Sequence, residues 1–262
     1  MSESGLTEVQ RYFFDLYGYL VIEDALSQGE VKHLNRVLDD HRPELPVPNS
    51  ADIYSQRLGA SFLGWDPLFR DLIDHPVVIG ALTPFMPHLG PRLDHAYAIL
   101  MDRGADVAGT PNLHGGAYPW QGSCAYTQLG GGEARLSLTV ASWALTDAPR
   151  GGFCCIPGSH KASFSAPAEV AADYLRFPEL VKTVPMKAGS LLIFSEALTH
   201  GTTTWDEDHQ RRNILMKYTA GHMTFGEPSD WTLLLGGAEM DESKRRILAP
   251  PSAMLQRVTP AR

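Results

Sequence analysis

The sequence has few cysteines, no long apolar run and no excess of positive charge. Its three cysteines, Cys124, Cys154 and Cys155, form no even-numbered set, which argues against a disulfide framework and favours reduced thiols in the cytoplasm. No run of about 18 apolar residues is present, so we expect no membrane span. Residues 1–5 lack a basic region followed by an apolar one and are not typical of a signal peptide.

The charge balance is acidic. The 262 residues carry a formal net charge of -8, with 22 Lys and Arg against 30 Asp and Glu. Nucleic acid polymers and anionic membranes favour basic surfaces, so the sequence predicts neither as a partner. The lack of a basic patch also argues against a carrier protein, and a free-standing small molecule is the expected substrate.

The order of the sequence patterns indicates the fold class. Apolar residues make up 44% of the chain, an ordinary globular balance, and mainly-β proteins of this length often form one domain, so we expect a single domain over residues 1–262. Helical periodicity dominates the first 90 residues, whereas short apolar strands separated by turn residues follow. We therefore predict an α+β, mainly β fold, in which a curled antiparallel double sheet is supported by N-terminal helices.

Several elements are predicted individually. Ser27 and Glu30 form a capping box at the start of a helix that runs to about residue 40. Residues 67–82 are helical with a break at Pro76, and residues 42–60 read as a surface loop. Residues 6–17 predict an amphipathic helix whose apolar stripe is formed by Val9, Tyr12, Phe13 and Leu16.

Two histidines and an arginine suggest a metal site. His114 lies in residues 102–121, a loop rich in glycine and proline of the kind that often carries function. His200 ends the apolar run of residues 190–199, and Arg211 opens a later strand. Neutral imidazole is the commonest protein ligand for iron, zinc and copper. The pattern therefore predicts a metal site with an acidic co-substrate beside it.

Four motifs together resemble the phytanoyl-CoA dioxygenase family of Fe(II)- and 2-oxoglutarate-dependent oxygenases. They are GYLVIEDALS with the EV that follows (18–31), GGFCCIPGSHK (151–161), GSLLIFSEALTHG (189–201) and RRNILMKY (211–218). The resemblance implies a double-stranded β-helix, also called a jelly-roll or cupin-like fold, with a metal at its open end. It also implies an oxidoreductase that uses Fe(II), 2-oxoglutarate and O2. The metal motif of the family is His-x-Asp with a distal histidine.

The resemblance assigns roles to particular residues, with one departure. His114 matches the first histidine, His200 the distal one, and Arg211 the residue that clamps the distal carboxylate of 2-oxoglutarate. Gly116 stands at the carboxylate position. On an extended segment, residues i and i+2 project to the same side, so His-x-Asp chelates one metal and glycine offers no ligand. Arg212 faces the other way, and a register slip of one residue would exchange it with Arg211.

Gly116 leaves three functions open. His-x-Gly resembles the aliphatic halogenases of the broader superfamily, in which chloride takes the carboxylate position. That resemblance implies chlorination of an unactivated C–H bond in a small metabolite such as an amino acid, alkaloid or nucleotide, with backbone donors near Gly115 and Gly116 holding the halide. The first alternative is a hydroxylase that recruits a carboxylate from elsewhere, for example Glu133 or Asp102. The second is a non-catalytic jelly-roll binding protein.

The remaining polar and aromatic residues have plainer interpretations. We expect His160 to be structural or at the rim of the site, and Trp143 and Tyr97 to be core residues rather than pocket lining. Three cationic side chains could receive an anionic substrate group, although such charges near strand ends are usually solvated: Arg103, Lys217 and His222.

Overall fold

The computed structural model describes residues 5–41, 55–87, 89–104, 113–116, 124–150 and 152–253. The α-helices of these residues are α1 (Glu8–Tyr17), α2 (Gln28–Asp40), α3 (Pro67–Asp71), α4 (Pro76–Leu82), α5 (Ala168–Ala172), α6 (Trp231–Leu234) and α7 (Glu242–Ile247). The strands are β1 (Tyr19–Ile22), β2 (Ser55–Leu58), β3 (Pro91–Met101), β4 (Tyr126–Gly130), β5 (Glu133–Leu136), β6 (Thr139–Ala144), β7 (Phe153–Cys155), β8 (Lys182–Thr183), β9 (Leu191–Ser195), β10 (His200–Thr202) and β11 (Arg211–Ala220).

Two antiparallel sheets enclose an apolar interior. The larger has the strand order β1-β9-β6-β11-β3-β2 and the smaller the order β10-β7-β8. Phe194 and Leu215 of the larger sheet pack with Phe153 of the smaller one in a buried cluster. Successive strand residues face opposite ways, so Ile214 joins a second cluster against the helices. This arrangement confirms the predicted mainly β jelly-roll with N-terminal supporting helices.

The helix signals near the N-terminus are confirmed. The Ser27 backbone N–H donates to the Glu30 carboxylate at 2.7 Å, and the Glu30 N–H donates to the Ser27 hydroxyl at 3.3 Å, which makes the predicted capping box at α2. Pro76 separates α3 from α4 and occupies the first turn of α4, where its missing N–H costs nothing. None of the helices that the structure describes is long and apolar enough to cross a membrane.

The predicted apolar face of α1 is wrong. Its four stripe residues are 41% to 62% exposed, whereas Phe14, which is 2% exposed, packs against Phe85 with ring centroids 5.4 Å apart. Gly18, in the left-handed conformation at φ 79°, turns the chain directly into β1. Because β1 pairs with β9 at the edge of the sheet, that pairing sets which face of α1 turns inward.

One further expectation needs correction. Residues 42–60 are not loop throughout, because β2 pairs with β3 and Leu58 is buried; the part before residue 55 lies outside the described residues. Most of the loop predicted for residues 102–121 also lies outside them. The β4–β5 hairpin was not predicted, since its strands are largely exposed and lack the apolar alternation that marks a strand.

The motif Pro157-Gly158-Ser159-His160-Lys161 fastens α1 to the sheets. The His160 Nε2 donates to the Asp15 carbonyl at 3.0 Å, and the Lys161 ammonium pairs with the Asp15 carboxylate at 2.7 Å. The Tyr126 hydroxyl also donates to that carboxylate. Gly18 makes room for the ring, because a β-carbon there would lie 2.5 Å from His160 Nδ1. The contacts agree with the structural role predicted for His160.

His160 should make folding pH-dependent. Burial lowers its pKa from 6.5 to about 4, so below pH 6.5 the unfolded chain binds this proton while the native state does not. The resulting stability is present above pH 6.5 and is lost as the pH falls towards 4, by about 3 kcal/mol for such a shift. We expect the free energy of unfolding, measured with urea between pH 7 and pH 4, to fall less in His160→Gln than in the wild type. An equal fall in both would contradict this assignment.

Candidate metal centre

A backbone bridge brings His114 and His200 together. Each residue's N–H donates to the carbonyl of the other at 2.8 Å, which forms an isolated antiparallel bridge. Their ring centroids lie 4.3 Å apart. Two imidazoles that are distant in the sequence thus occupy one place in the fold, at the end of β10.

The ring of His200 is held in the form that binds metals. Its Nδ1 donates to the Leu198 carbonyl at 2.7 Å, so Nε2 keeps its lone pair. The side chain is 5% exposed and packs against Phe153 and Phe194. Burial lowers the pKa of His200 to about 4, which keeps the imidazole neutral at pH 7.

The backbone after His114 is not extended, contrary to the assumption behind the His-x-Asp comparison. Gly115 and Gly116 have φ values of 82° and 94°, which L side chains rarely adopt. A β-carbon on Gly115 would lie 2.4 Å from the Leu198 carbonyl oxygen, and one on Gly116 would lie 3.0 Å from the Thr199 hydroxyl. Glycine therefore satisfies a backbone requirement at both positions, besides offering no ligand.

No third protein ligand accompanies the two histidines among the residues that the structure describes, since they contain no metal-binding group of three or more His, Cys, Asp or Glu side chains. The two carboxylates proposed as donors are engaged elsewhere. Glu133 is exposed and pairs with Arg135 at 3.0 Å. Asp102 is exposed and accepts from Gln210 Nε2 at 2.9 Å.

Sequence reasoning missed a buried carboxylate beside the histidines. Glu196, 8% exposed in the turn after β9, pairs with the Lys217 ammonium at 2.6 Å. Burial raises the pKa of Glu196, but His200 in its protonated form and the Lys217 ammonium outweigh burial and leave the pKa below its ordinary value. Lys217 is therefore a buried partner of Glu196 and not the solvated cation that was expected. The sequence contained one indication that Lys217 lies at the site: the spacing along β11 places its side chain on the same face as that of Arg211.

Arg211 is a buried cation without a carboxylate partner among the described residues. It is 5% exposed; Nη1 contacts the Met101 sulfur at 3.3 Å and Nε has no hydrogen-bond partner. A β-carbon on Gly152 would lie 2.7 Å from that Nε, so glycine makes the room. Burial lowers the pKa of Arg211 to about 10, which still leaves it charged at pH 7. An uncompensated buried guanidinium is suited to an anionic ligand.

Arg212 lies on the opposite face of β11, as strand alternation predicts. It pairs with Asp39 of α2 at 2.6 Å and donates to the Asn35 side chain at 3.1 Å. Arg211 therefore lies in the barrel interior, whereas Arg212 faces the supporting helix α2.

The other residues considered from the sequence divide between core and surface. Trp143 is fully buried against the helices, as expected. Tyr97 is partly buried and packs against the interior core cluster, where its ring centroid lies 5.6 Å from the Lys217 ammonium. Arg103 is exposed and pairs with Asp206 and Asp208, and His222 is exposed.

The sequence profile of the phytanoyl-CoA dioxygenase (PhyH) family matches residues 14–213. Among solved structures, HygX from Streptomyces hygroscopicus with nickel, 2-oxoglutarate and hygromycin B bound is 25% identical with a TM-score of 0.69, over 84% of this chain and 89% of that chain. The non-heme alpha ketoglutarate dependent carbocyclase SnoK from nogalamycin biosynthesis is 18% identical, with a TM-score of 0.62 over 89% of this chain and 91% of that one. At that identity the likeness concerns the fold alone. No curated protein matches the chain.

Proposed function

The chain belongs to the phytanoyl-CoA dioxygenase family of Fe(II)- and 2-oxoglutarate-dependent oxidoreductases, and from that premise we propose that it halogenates a C–H bond of a small free-standing molecule. The proposed protein ligands of iron are His114 and His200 alone. The observation that carries the proposal is their pairing, with ring centroids 4.3 Å apart, without a third metal-binding side chain among the described residues. The family is one of enzymes, so a non-catalytic binding protein is set aside.

The histidine pair fits a ferrous ion. Because the Leu198 carbonyl accepts from Nδ1 of His200, the Nε2 lone pair of that ring is available for a metal. Bound iron would supply O2 activation coupled to the oxidative decarboxylation of 2-oxoglutarate. Phe153 and Phe194 pack around the ring, fix its orientation and exclude water from one side of it.

Arg211 fits the distal carboxylate of 2-oxoglutarate. A guanidinium binds a carboxylate through two parallel hydrogen bonds, and the Nε of Arg211 is buried without a partner. The 2-oxoglutarate bound in the similar HygX structure supports an acidic co-substrate in this fold. Arg211 would orient the co-substrate from the wall of the barrel.

The charge of the two-histidine ligand set supports a halide as a further ligand of the metal. Two neutral imidazoles bring no negative charge to iron, and a halide and a carboxylate side chain are alternative anionic ligands. The proposed donors to the chloride are the backbone N–H groups of Gly115 and Gly116, which no β-carbon shields. In the proposed enzyme the halide takes the ligand position that the aspartate of the family motif fills.

Glu196 supports a second candidate, hydroxylation or another oxidation without halide. This residue is buried in the turn that leads from β9 to His200, and its backbone carbonyl oxygen lies 2.9 Å from the position of a β-carbon on Gly115. If its carboxylate turned from Lys217 to the iron, the ligand set would become two histidines and one carboxylate, which suits hydroxylation.

An anaerobic titration distinguishes the two candidates. Fe(II) and then 2-oxoglutarate are added to the purified protein with and without chloride, and the weak visible charge-transfer band of the complex is followed. A band that chloride shifts supports halogenation. A band that chloride leaves unchanged supports hydroxylation and contradicts the halide proposal, and no band contradicts both.

Replacing Gly116 by Asp should abolish chlorination, because the new carboxylate competes with chloride for the metal. The positive φ adds strain of about 1–3 kcal/mol, so the melting temperature is expected to fall. Gly116→Ala is the matched control, since it has the same strain and no carboxylate, and it should keep the response to chloride. The measurement is product mass spectrometry with chloride present. Chlorination at the wild-type rate in Gly116→Asp would contradict the proposed ligand set.

A further inference from the structure

We infer that Lys217 is a positioning residue whose ion pair with Glu196 keeps this carboxylate off the metal and so preserves the two-histidine ligand set. The inference rests on the proposed function, because it requires a metal at His114 and His200. Neither Lys217 nor Glu196 is a proposed ligand. Their ion pair determines whether a protein carboxylate or a halide binds the metal beside the two histidines.

Glu196 borders the metal centre through its backbone. The turn that contains it leads from β9 to His200, and its carbonyl oxygen lies 2.9 Å from the position of a β-carbon on Gly115. Its side chain, however, forms an ion pair with Lys217, whose ammonium lies 2.6 Å from Oε1. Glu196 therefore borders the two histidines through its backbone, and its carboxylate forms no metal-binding group with them among the described residues.

The path of the chain keeps the carboxylate near the site. Glu196 lies four residues before His200, and its side chain is buried in the turn that joins β9 to β10. A neighbouring cation stabilises a buried carboxylate. Two cations are available to Glu196 in the proposed holoenzyme, the Lys217 ammonium and the metal ion.

The surroundings favour the lysine. Lys217 lies in β11 between β3 and β6, where it pairs with His95 on one side and Val140 on the other, directly before a register irregularity between β11 and β3. Its ammonium also contacts the Tyr97 ring, and His95, opposite Lys217 in register, stacks on the same ring at 6.2 Å. These contacts position the ammonium to hold Glu196. Without the ammonium, the carboxylate would have the metal as its remaining cation.

Lys217→Met tests this inference with Co(II) as the probe. Binding is measured anaerobically by calorimetry, and the visible spectrum of bound Co(II) is recorded with and without chloride. In Lys217→Met we expect Co(II) to bind about tenfold or more tightly than in the wild type, as a gained carboxylate ligand implies, with a spectrum that no longer responds to chloride. The double variant Lys217→Met/Glu196→Gln should return both properties to wild-type values.

Glu196→Gln alone is the second test. It still tests the inference if Lys217→Met does not fold. It should leave the Co(II) affinity and the chloride response as in the wild type, because Glu196 is not a ligand there. A Lys217→Met protein that behaves as the wild type would overturn the inference while leaving the proposed function intact. A tenfold loss of affinity in Glu196→Gln would make Glu196 a metal ligand in the wild type and would overturn both the inference and the two-histidine ligand set. A wild-type protein that binds no Co(II) would overturn the proposed function and the inference with it.

Discussion

Replacing His200 by alanine is expected to abolish metal binding and to lower turnover by about a thousandfold or more, because a site with one remaining imidazole cannot hold the ion. The His200 ring is buried, and its hydrogen bond to the Leu198 carbonyl fixes its orientation. Its Nε2 is the imidazole nitrogen that β10 offers to a metal. Co(II) affinity, measured by calorimetry, and turnover with Fe(II) and 2-oxoglutarate are the readouts.

His160→Gln is the matched control for this substitution. His160 is also a buried histidine with a lowered pKa, but its Nε2 donates to Asp15 of α1 and it takes no part in the bridge between His114 and His200. It should therefore keep wild-type Co(II) affinity and change only stability. If His200→Ala bound Co(II) within threefold of the wild type, the metal would have to lie elsewhere.

Replacing Arg211 by leucine is expected to weaken 2-oxoglutarate binding by about a hundredfold, which corresponds to about 2.8 kcal/mol for a lost charge-assisted pair. Lysine at this position should restore the binding only in part, because an ammonium lacks the fork that matches a carboxylate. Metal affinity should stay unchanged. Removing an uncompensated buried charge should also leave the free protein equally stable or more stable.

Arg212→Leu provides the comparison, since the two arginines are neighbours on opposite faces of β11. It loses the ion pair with Asp39 and should lower the melting temperature while leaving 2-oxoglutarate affinity intact. Calorimetric titration of both variants with 2-oxoglutarate is the measurement. A larger loss of affinity in Arg212→Leu than in Arg211→Leu would show that Arg212, and not Arg211, faces the interior of the barrel.

Much of the architecture was predictable because it depends on local patterns. The capping box of Ser27 and Glu30 is set by backbone donors within one turn of helix, and Pro76 ends one helical segment and begins the next because proline is tolerated only in the first turn. Alternation along β11 separates Arg211 from Arg212 without any knowledge of the partner strands. His200, at a strand end in a recognisable motif, was a candidate ligand for the same reason.

The features that were not predictable depend on contacts between distant segments. The inward face of α1 follows from the pairing of β1 with β9, and the positive φ of Gly116 follows from the close approach of the turn before β10. The Glu196–Lys217 ion pair joins a turn to the middle of a later strand, a relation that no spacing encodes. The sequence could therefore locate the histidines but not the carboxylate that lies beside them.

Anomalous X-ray diffraction from anaerobic crystals containing Fe(II), 2-oxoglutarate and chloride tests the central claim most directly. We expect iron bonded to Nε2 of His114 and His200, the distal carboxylate of 2-oxoglutarate on Arg211, and no protein carboxylate on the metal. Iron bonded to Glu196 or to another carboxylate of the chain, or iron bound away from this histidine pair, would contradict the account.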